Sequence, residues 1–255
     1  MFSSGTTNDD TAFPGVRYLR GRGLVRVAFI TATDASGQVS EAAFNDALTQ
    51  AENLKIQVVA REHFNNGDIS IAAQMARIAT GRPQAVWAAV NGTSLGAVLH
   101  AMRDAGLDVP VYTNYSNMTY DLMAQFAALL PREVLFSAPI GMIPGTVATG
   151  PVHDAQQTIA AALKRRNVHE TAGHNAIWDA AMLTVDAYRK LGVRATAQQI
   201  HDELESLHGW AGINGVYDFR SGNQRGIGQR SIVVYHWDVG RGDFTAVSRP
   251  AGDVN

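Results

Sequence analysis

Between residues 25 and 137 the chain alternates short apolar, β-branched runs with segments of helical periodicity, and this rhythm constrains the fold more than any other feature. Val25-Arg26-Val27-Ala28-Phe29-Ile30 reads as a buried strand, followed by Phe44, Ala47, Leu48, Ala51 and Leu54 at helical spacing. Ile56 to Ala60 is the next strand, and Ile71, Met75 and Ile78 stripe a helix that Asp68 or Ser70 can cap and Gly81-Arg82-Pro83 stops. Ala85 to Val90 is a third strand, and Leu95, Val98, Leu99 and Met102 line a further helix ended by Gly106. Val109 to Tyr112 and Val134 to Ser137 flank a helix carrying Met123, Phe126 and Leu130. Strands separated by helical crossovers of this length lie parallel, with right-handed connections and helices on both faces. The pattern predicts an α/β doubly wound parallel sheet over residues 13–140.

Residues 141–255 break the rhythm. Ile140-Gly141-Met142-Ile143-Pro144-Gly145 is a candidate linker, and helices near 152–166, 175–191 and 196–207 follow without strands between them. The stripe Ile177, Ala181, Thr184, Tyr188 and Leu191 needs a surface to cover. Two β runs close the chain, Gly215 to Phe219 and Ser231 to Trp237, and are expected to stay with these helices as a second domain.

Composition bounds the function. Apolar residues make up 46% of the 255, charged residues 17%, and the net charge is −2, which fits a globular chain and argues against nucleic acid as a partner. The absence of cysteine removes disulfide scaffolds and thiolate metal sites. No apolar run is long enough to span a bilayer, and the first ten residues lack the charged and apolar regions of a signal peptide. As written, nothing directs export.

Ligands of open parallel sheets bind at the carboxyl ends of the strands. Three loops stand there: Thr31 to Gly37, Asn91-Gly92-Thr93-Ser94, and Thr113-Asn114-Tyr115-Ser116-Asn117. Their hydroxyl and amide groups suit a small polar ligand, and the same residue types also cap helices. Gly92-Thr93-Ser94-Leu95-Gly96 fits the G-x-S-x-G nucleophile elbow between strand and helix. A serine hydrolase would use Ser94, with Asp179 or Asp218 and then His208 or His236, yet no HGGG-like oxyanion segment precedes the serine. Gly21-Arg22-Gly23 places Arg26 where a dinucleotide fingerprint needs glycine. His169 and His174 are five apart where a zinc helix needs four, and are expected in a surface loop. No metal or cofactor is expected.

Several segments resemble the second lobe of leucine/isoleucine/valine-type periplasmic binding proteins. They are Val27 to Ile30 with Asp34 and Gly37, Phe64-Asn65-Asn66-Gly67-Asp68 with Met75 to Ile78, and Ala85 to Val90 with Gly96, Leu99, Met102, Gly106 and Leu107. Asn175 to Ala180 and Gly212 to Phe219 with Arg225-Gly226 continue the match from about residue 13 to the C-terminus. The resemblance implies a two-lobed receptor that closes on a solute and docks on the permease of an ABC importer, in the periplasm, without enzymatic activity. It places ligand contacts on Ser36, on Asn91 or Gly92, and on Asn114 or Tyr115, with Asp34 and Thr93 in the same loops. Relatives that bind amino acids carry an aromatic near Ser36 and a carboxylate near Tyr115; both are replaced here, so a neutral amide or an aromatic acid suits the loops as well. The chain starts where the family's hinge starts, which leads to the expectation of a truncated first lobe, exposed apolar helix faces, and self-association or a partner supplying the remainder. A sensor domain on the same fold is a third reading.

Overall fold

The computed structural model describes residues 1–143, 145–168, 172–220, 222 and 224–254. In chain order the elements are α1 (Asn8–Gly21), β1 (Arg26–Ala32), α2 (Ala35–Leu48), β2 (Gln57–Phe64), α3 (Ala72–Thr80), β3 (Ala85–Ala89), α4 (Thr93–Asp104), β4 (Val111–Asn114), α5 (Tyr120–Gln125) and β5 (Val134–Pro139). They continue as α6 (Pro151–Arg165), α7 (Ala172–Leu191), α8 (Ala197–Glu205), β6 (His208–Gly212), β7 (Gly215–Asp218), β8 (Ile232–Asp238) and β9 (Asp243–Ala246).

The chain divides into two units, Asn8–Ala138 with Ile232–Asn255, and Met1–Thr7 with Pro139–Ser231. The first holds a seven-stranded sheet in the order β2-β1-β3-β4-β5-β8-β9. β1 to β5 run parallel, as their helical crossovers require. The expected doubly wound α/β layer is the one found. Two differences concern its edges. β8 and β9, expected with the trailing helices, extend this sheet beyond β5 as an antiparallel pair. The physical reason is burial: Ile232 to Tyr235 are all buried, so both faces of β8 need cover that a short hairpin alone cannot give. The N-terminal stretch forms a 14-residue helix, α1, that the sequence pattern does not announce; Pro14 inside it removes an internal hydrogen bond. The carbonyl of Pro14 lies against Gly252, where an added Cβ would come within 2.0 Å of it and φ is +82°. Only glycine fits that turn.

Alternation along the strands divides the core between the two faces. Ala28, Ile30, Val86 and Ala88 face a cluster with Met75, Ile78, Leu95, Leu99 and Phe126. Val27, Phe29, Ala85 and Trp87 face the other, with Val16, Leu19, Phe44, Ala47 and Tyr112. In the second cluster Phe44 lies 4.9 Å from the rings of both Phe29 and Trp87, and Trp87 stacks on Tyr112 at 3.9 Å. At the start of α3 Ile71 occupies the cap position, Ser70 Oγ accepts from the first helical N–H, that of Ala72, at 3.3 Å, and the Asp68 carboxylate accepts from the Asn65 N–H instead.

In the second unit β6 and β7 form an antiparallel pair, and α7 buries Asn175, Asp179, Leu183 and Ala187. The Asp179 carboxylate accepts from the backbone N–H of Ile213 and Asn214, the Asn214 amide and the Tyr217 hydroxyl, at 2.8–3.0 Å. Desolvation by burial raises its pKa, and these donors draw it back. The stripe Ile177, Ala181, Thr184, Tyr188 and Leu191 on the opposite face of α7 is exposed. His174 lies in α7 and not in a loop; His169 lies outside the described residues.

Phe44 is fully buried among aromatic neighbours, so Phe44→Ala is expected to lower the unfolding free energy by about 3–5 kcal/mol through lost transfer energy and a residual cavity. Urea denaturation of the two proteins measures it.

Candidate ligand-binding site

β1 sits between β2 and β3 in the sheet, so the crossovers leaving β1 and β3 depart to opposite faces and their loops part at the carboxyl ends. Open α/β sheets bind ligands in the crevice so formed. At this edge the buried side chains first satisfy strand-end carbonyls. Thr31 Oγ1 donates to Ala89 O at 2.7 Å, Thr113 Oγ1 to Ala88 O at 2.9 Å, and Asn117 Nδ2 to Val90 O at 2.8 Å. Asn117 Oδ1 accepts from the Gly92 N–H at 2.8 Å, tying the β3 loop to the β4 loop.

Above this tier the polar side chains are open to solvent and joined across loops. Asn91 is the hub. Its Oδ1 accepts from Asn114 Nδ2 at 3.1 Å and Ser116 Oγ at 2.5 Å, and its Nδ2 donates to Ser36 Oγ at 3.2 Å. A second chain runs from Ser94 Oγ to Asn66 Oδ1 at 3.0 Å, and from Asn66 Nδ2 to Asp34 Oδ2 at 2.5 Å. Two depressions of about 240 and 260 Å³ share Ser36 and Asn91. Asn114, Tyr115 and Ser116 line the first, over Trp87 and Tyr112; Asp34, Asn66, Thr93 and Ser94 line the second.

Six of the seven nominated residues, Asp34, Ser36, Asn91, Thr93, Asn114 and Tyr115, thus line adjoining depressions at one rim. Gly92 stands apart from the lining: its N–H is held by Asn117, and its φ of +56° shapes the entry to α4. Asn66 and Ser116 carry bonds that the sequence reading did not assign to them. The signal for Asn66 was available, because Asn65-Asn66-Gly67 follows a strand of the same parallel sheet and so opens on the same edge.

The family model described as periplasmic binding protein matches residues 1–243. The chain belongs to the periplasmic binding protein family. Solved structures share its fold. An extracellular ligand-binding receptor from Rhodopseudomonas palustris HaA2 is 21% identical, with a TM-score of 0.79 over 94% of this chain and 67% of that one. A leucine binding protein from Thermotoga maritima MSB8 is 17% identical, with a TM-score of 0.75 over 94% and 64%. An ABC transporter substrate-binding protein from Desulfitobacterium hafniense in complex with Leu is 19% identical, with a TM-score of 0.69 over 94% and 65%. The chain therefore spans about two thirds of the length of these structures. No curated protein matches it at a significant level.

The residues lining this periplasmic binding protein's two depressions include no lysine, arginine, histidine or glutamate; Asp34 is the one charged group. Asp34 caps α2, accepting from the Gly37 N–H at 2.7 Å. That bond, foremost, and the one from Asn66 hold its carboxyl below the usual range. The hydrolase residues are engaged otherwise. Ser94 lies in the first turn of α4, bonded to an amide rather than an imidazole, and the strained backbone falls on Gly92. A nucleophile elbow needs that strain at the serine itself. Asp179 is occupied by four donors, and Asp218 pairs with Arg220 at 2.6 Å. Among the described residues one group of potential metal ligands, His201, Asp202 and Glu205 on α8, comes within 4.8 Å of one another, at the surface of the other unit.

Because the folded-state pKa of Asp34 is depressed, its contribution to stability is present above the unfolded value near 3.9 and is lost as pH falls through the folded one. Asp34→Asn keeps an acceptor but cannot titrate, so the stability difference between it and the wild type should shrink from about pH 5 to below pH 3. Asp34→Ala removes the cap and should cost about 0.5–2 kcal/mol at neutral pH. Urea denaturation across a pH series reads both.

Proposed function

We propose that this periplasmic binding protein is the solute-binding component of an ABC importer, taking branched-chain amino acids or related small polar metabolites outside the cytoplasmic membrane and delivering them to a permease. The observation that carries the reading is the rim itself. Ser36, Asn91, Asn114 and Tyr115 converge from three loops on one depression, at the switch point where α/β sheets bind small molecules. The leucine named for the Thermotoga and Desulfitobacterium structures supports the ligand class.

The same features support binding and not turnover. The rim offers hydrogen-bonding groups held by one another, and its serine and its carboxylate are each engaged by an amide. A nucleophile needs a base within hydrogen-bond reach, and Ser94 has Asn66 in that place. Docking on a permease follows from the importer role, and the protein's own ligand is the first thing to establish.

Leucine, isoleucine and valine titrated into the ¹⁵N-labelled protein should move the backbone resonances of Ser36, Asn91 and Tyr115 together. Asn91→Ala should weaken binding by about fivefold or more, the value of one net hydrogen bond. If none of the three solutes, nor their deaminated or decarboxylated analogues, perturbs this rim, the importer reading is wrong.

A further inference from the structure

The two hydrogen-bond chains at the rim have a direction, and the direction bears on which end of a solute they face. Asn91 Oδ1 receives two donors, from Asn114 and Ser116, which fills the two lone pairs of an amide oxygen. The amide is therefore oriented with Nδ2 toward Ser36, and Ser36 Oγ accepts from it. A hydroxyl that accepts retains its proton to donate, and among the described residues nothing receives the proton of Ser36. Ser36 is exposed, in the wall common to both depressions. Bonds arranged head to tail polarise one another, so the terminal O–H is a better donor than an isolated serine. The second N–H of Asn91 points the same way in chemical terms, as a further donor. The lone acceptor with charge, Asp34, ends the separate chain through Asn66, and each of its oxygens already accepts a bond.

We infer that Asn91 acts as a positioning residue that fixes Ser36 as a hydrogen-bond donor, so that the solute presents an acceptor oxygen, of a carboxylate or a neutral amide, to this rim. An ammonium group, which can only donate, meets the one lone pair that Asn91 leaves on Ser36 Oγ and gives the Ser36 proton no acceptor, so it makes the poorer match. The inference rests on the solute-binding reading above and deepens it by assigning which end of the ligand this surface holds.

A matched set of leucine fragments tests it on the full chain by calorimetry and by resonance shifts at Ser36 and Asn91. The set is 4-methylpentanoate and 4-methylpentanamide, which keep the acceptor and lack the ammonium, and 3-methylbutylammonium, which keeps the ammonium alone. The two acceptor probes should bind and the ammonium probe should bind at least about tenfold more weakly, one to two hydrogen bonds' worth. Their relative affinities separate a carboxylate-bearing from an amide-bearing solute. Ser36→Ala should weaken both acceptor probes by about fivefold or more, and Ser36→Thr should restore them. Asn91→Asp turns the hub into an acceptor only, so the Ser36 proton swings to it; the ratio of acceptor to ammonium affinity should drop by at least about tenfold. A structural role for Asn91 would weaken all three probes alike and leave that ratio unchanged, which overturns the inference. Wild-type preference for 3-methylbutylammonium also overturns it while leaving the importer reading intact. Silence of the rim toward every fragment and toward leucine removes both.

Discussion

Parallel strands buried on both faces must be joined by helices that cross over them, and every other property of this protein's rim follows from that requirement. Because β1 is flanked by β2 and β3, the crossover leaving β1 (α2) and the one leaving β3 (α4) cover different faces, and a crevice opens at the carboxyl ends. The apolar alternation that makes this geometry possible confines the buried polar side chains of β1, β4 and β5 to Thr31, Thr113 and Ser137 near the strand ends. Valine, alanine, phenylalanine and tryptophan fill both faces of β1 and β3, so the chemistry collects at the strand ends, where the backbone itself needs partners.

That need explains why the rim has two tiers. Strand ends leave carbonyls without a ladder partner, and a buried carbonyl without one is costly. Thr31, Thr113 and Asn117 meet the carbonyls of Ala89, Ala88 and Val90 from below. Asn117 also holds the Gly92 N–H, which pins the β3 loop. Once the backbone is satisfied by buried side chains, the exposed ones are released from that task. Ser36, Asn91, Asn114 and Ser116 bond mainly to one another. The lower tier ties the strand ends together and the upper tier faces solvent, and neither arrangement uses a charged residue.

Much of this was legible in the chain. The five parallel strands and their crossovers follow from periods of 2 and 3.6, and once the strands were placed their carboxyl ends singled out three loops, within which the family resemblance pointed to Ser36, Asn91 or Gly92, and Asn114 or Tyr115. Three things were hidden for physical reasons. α1 carries Pro14 and Gly15 in its middle, which local propensity reads as interruption; packing on the sheet overrides that. β8 pairs with a strand about a hundred residues earlier, and no local period records a partner. The role of Asn66 depends on its bonds to Ser94 and Asp34, which adjacency in sequence does not reveal. The stripe on α7 illustrates the converse: its period was plain, and it is the exposed face of the helix, because on the other face Asn175 donates to the Gly141 carbonyl and Asp179 accepts from the Ile213–Asn214 turn.

The pentapeptide around Ser94 shows why a motif is decided by its surroundings. Its glycine-serine-glycine spacing, and the strand before and helix after it, are those of a hydrolase elbow. Two local facts redirect it. The unusual backbone angles rest on Gly92, so the serine follows as an ordinary first-turn residue of α4. The atom it meets is an amide oxygen, which accepts the serine's proton in a hydrogen bond but is too weak a base to remove it. A catalytic serine is activated by a base whose pKa lies near the working pH, whereas the carboxylate at the end of this chain is pulled the other way, held ionised by Gly37 and Asn66. The spacing of the motif is thus that of an elbow, while the partners of its serine are those of a hydrogen-bonded loop surface.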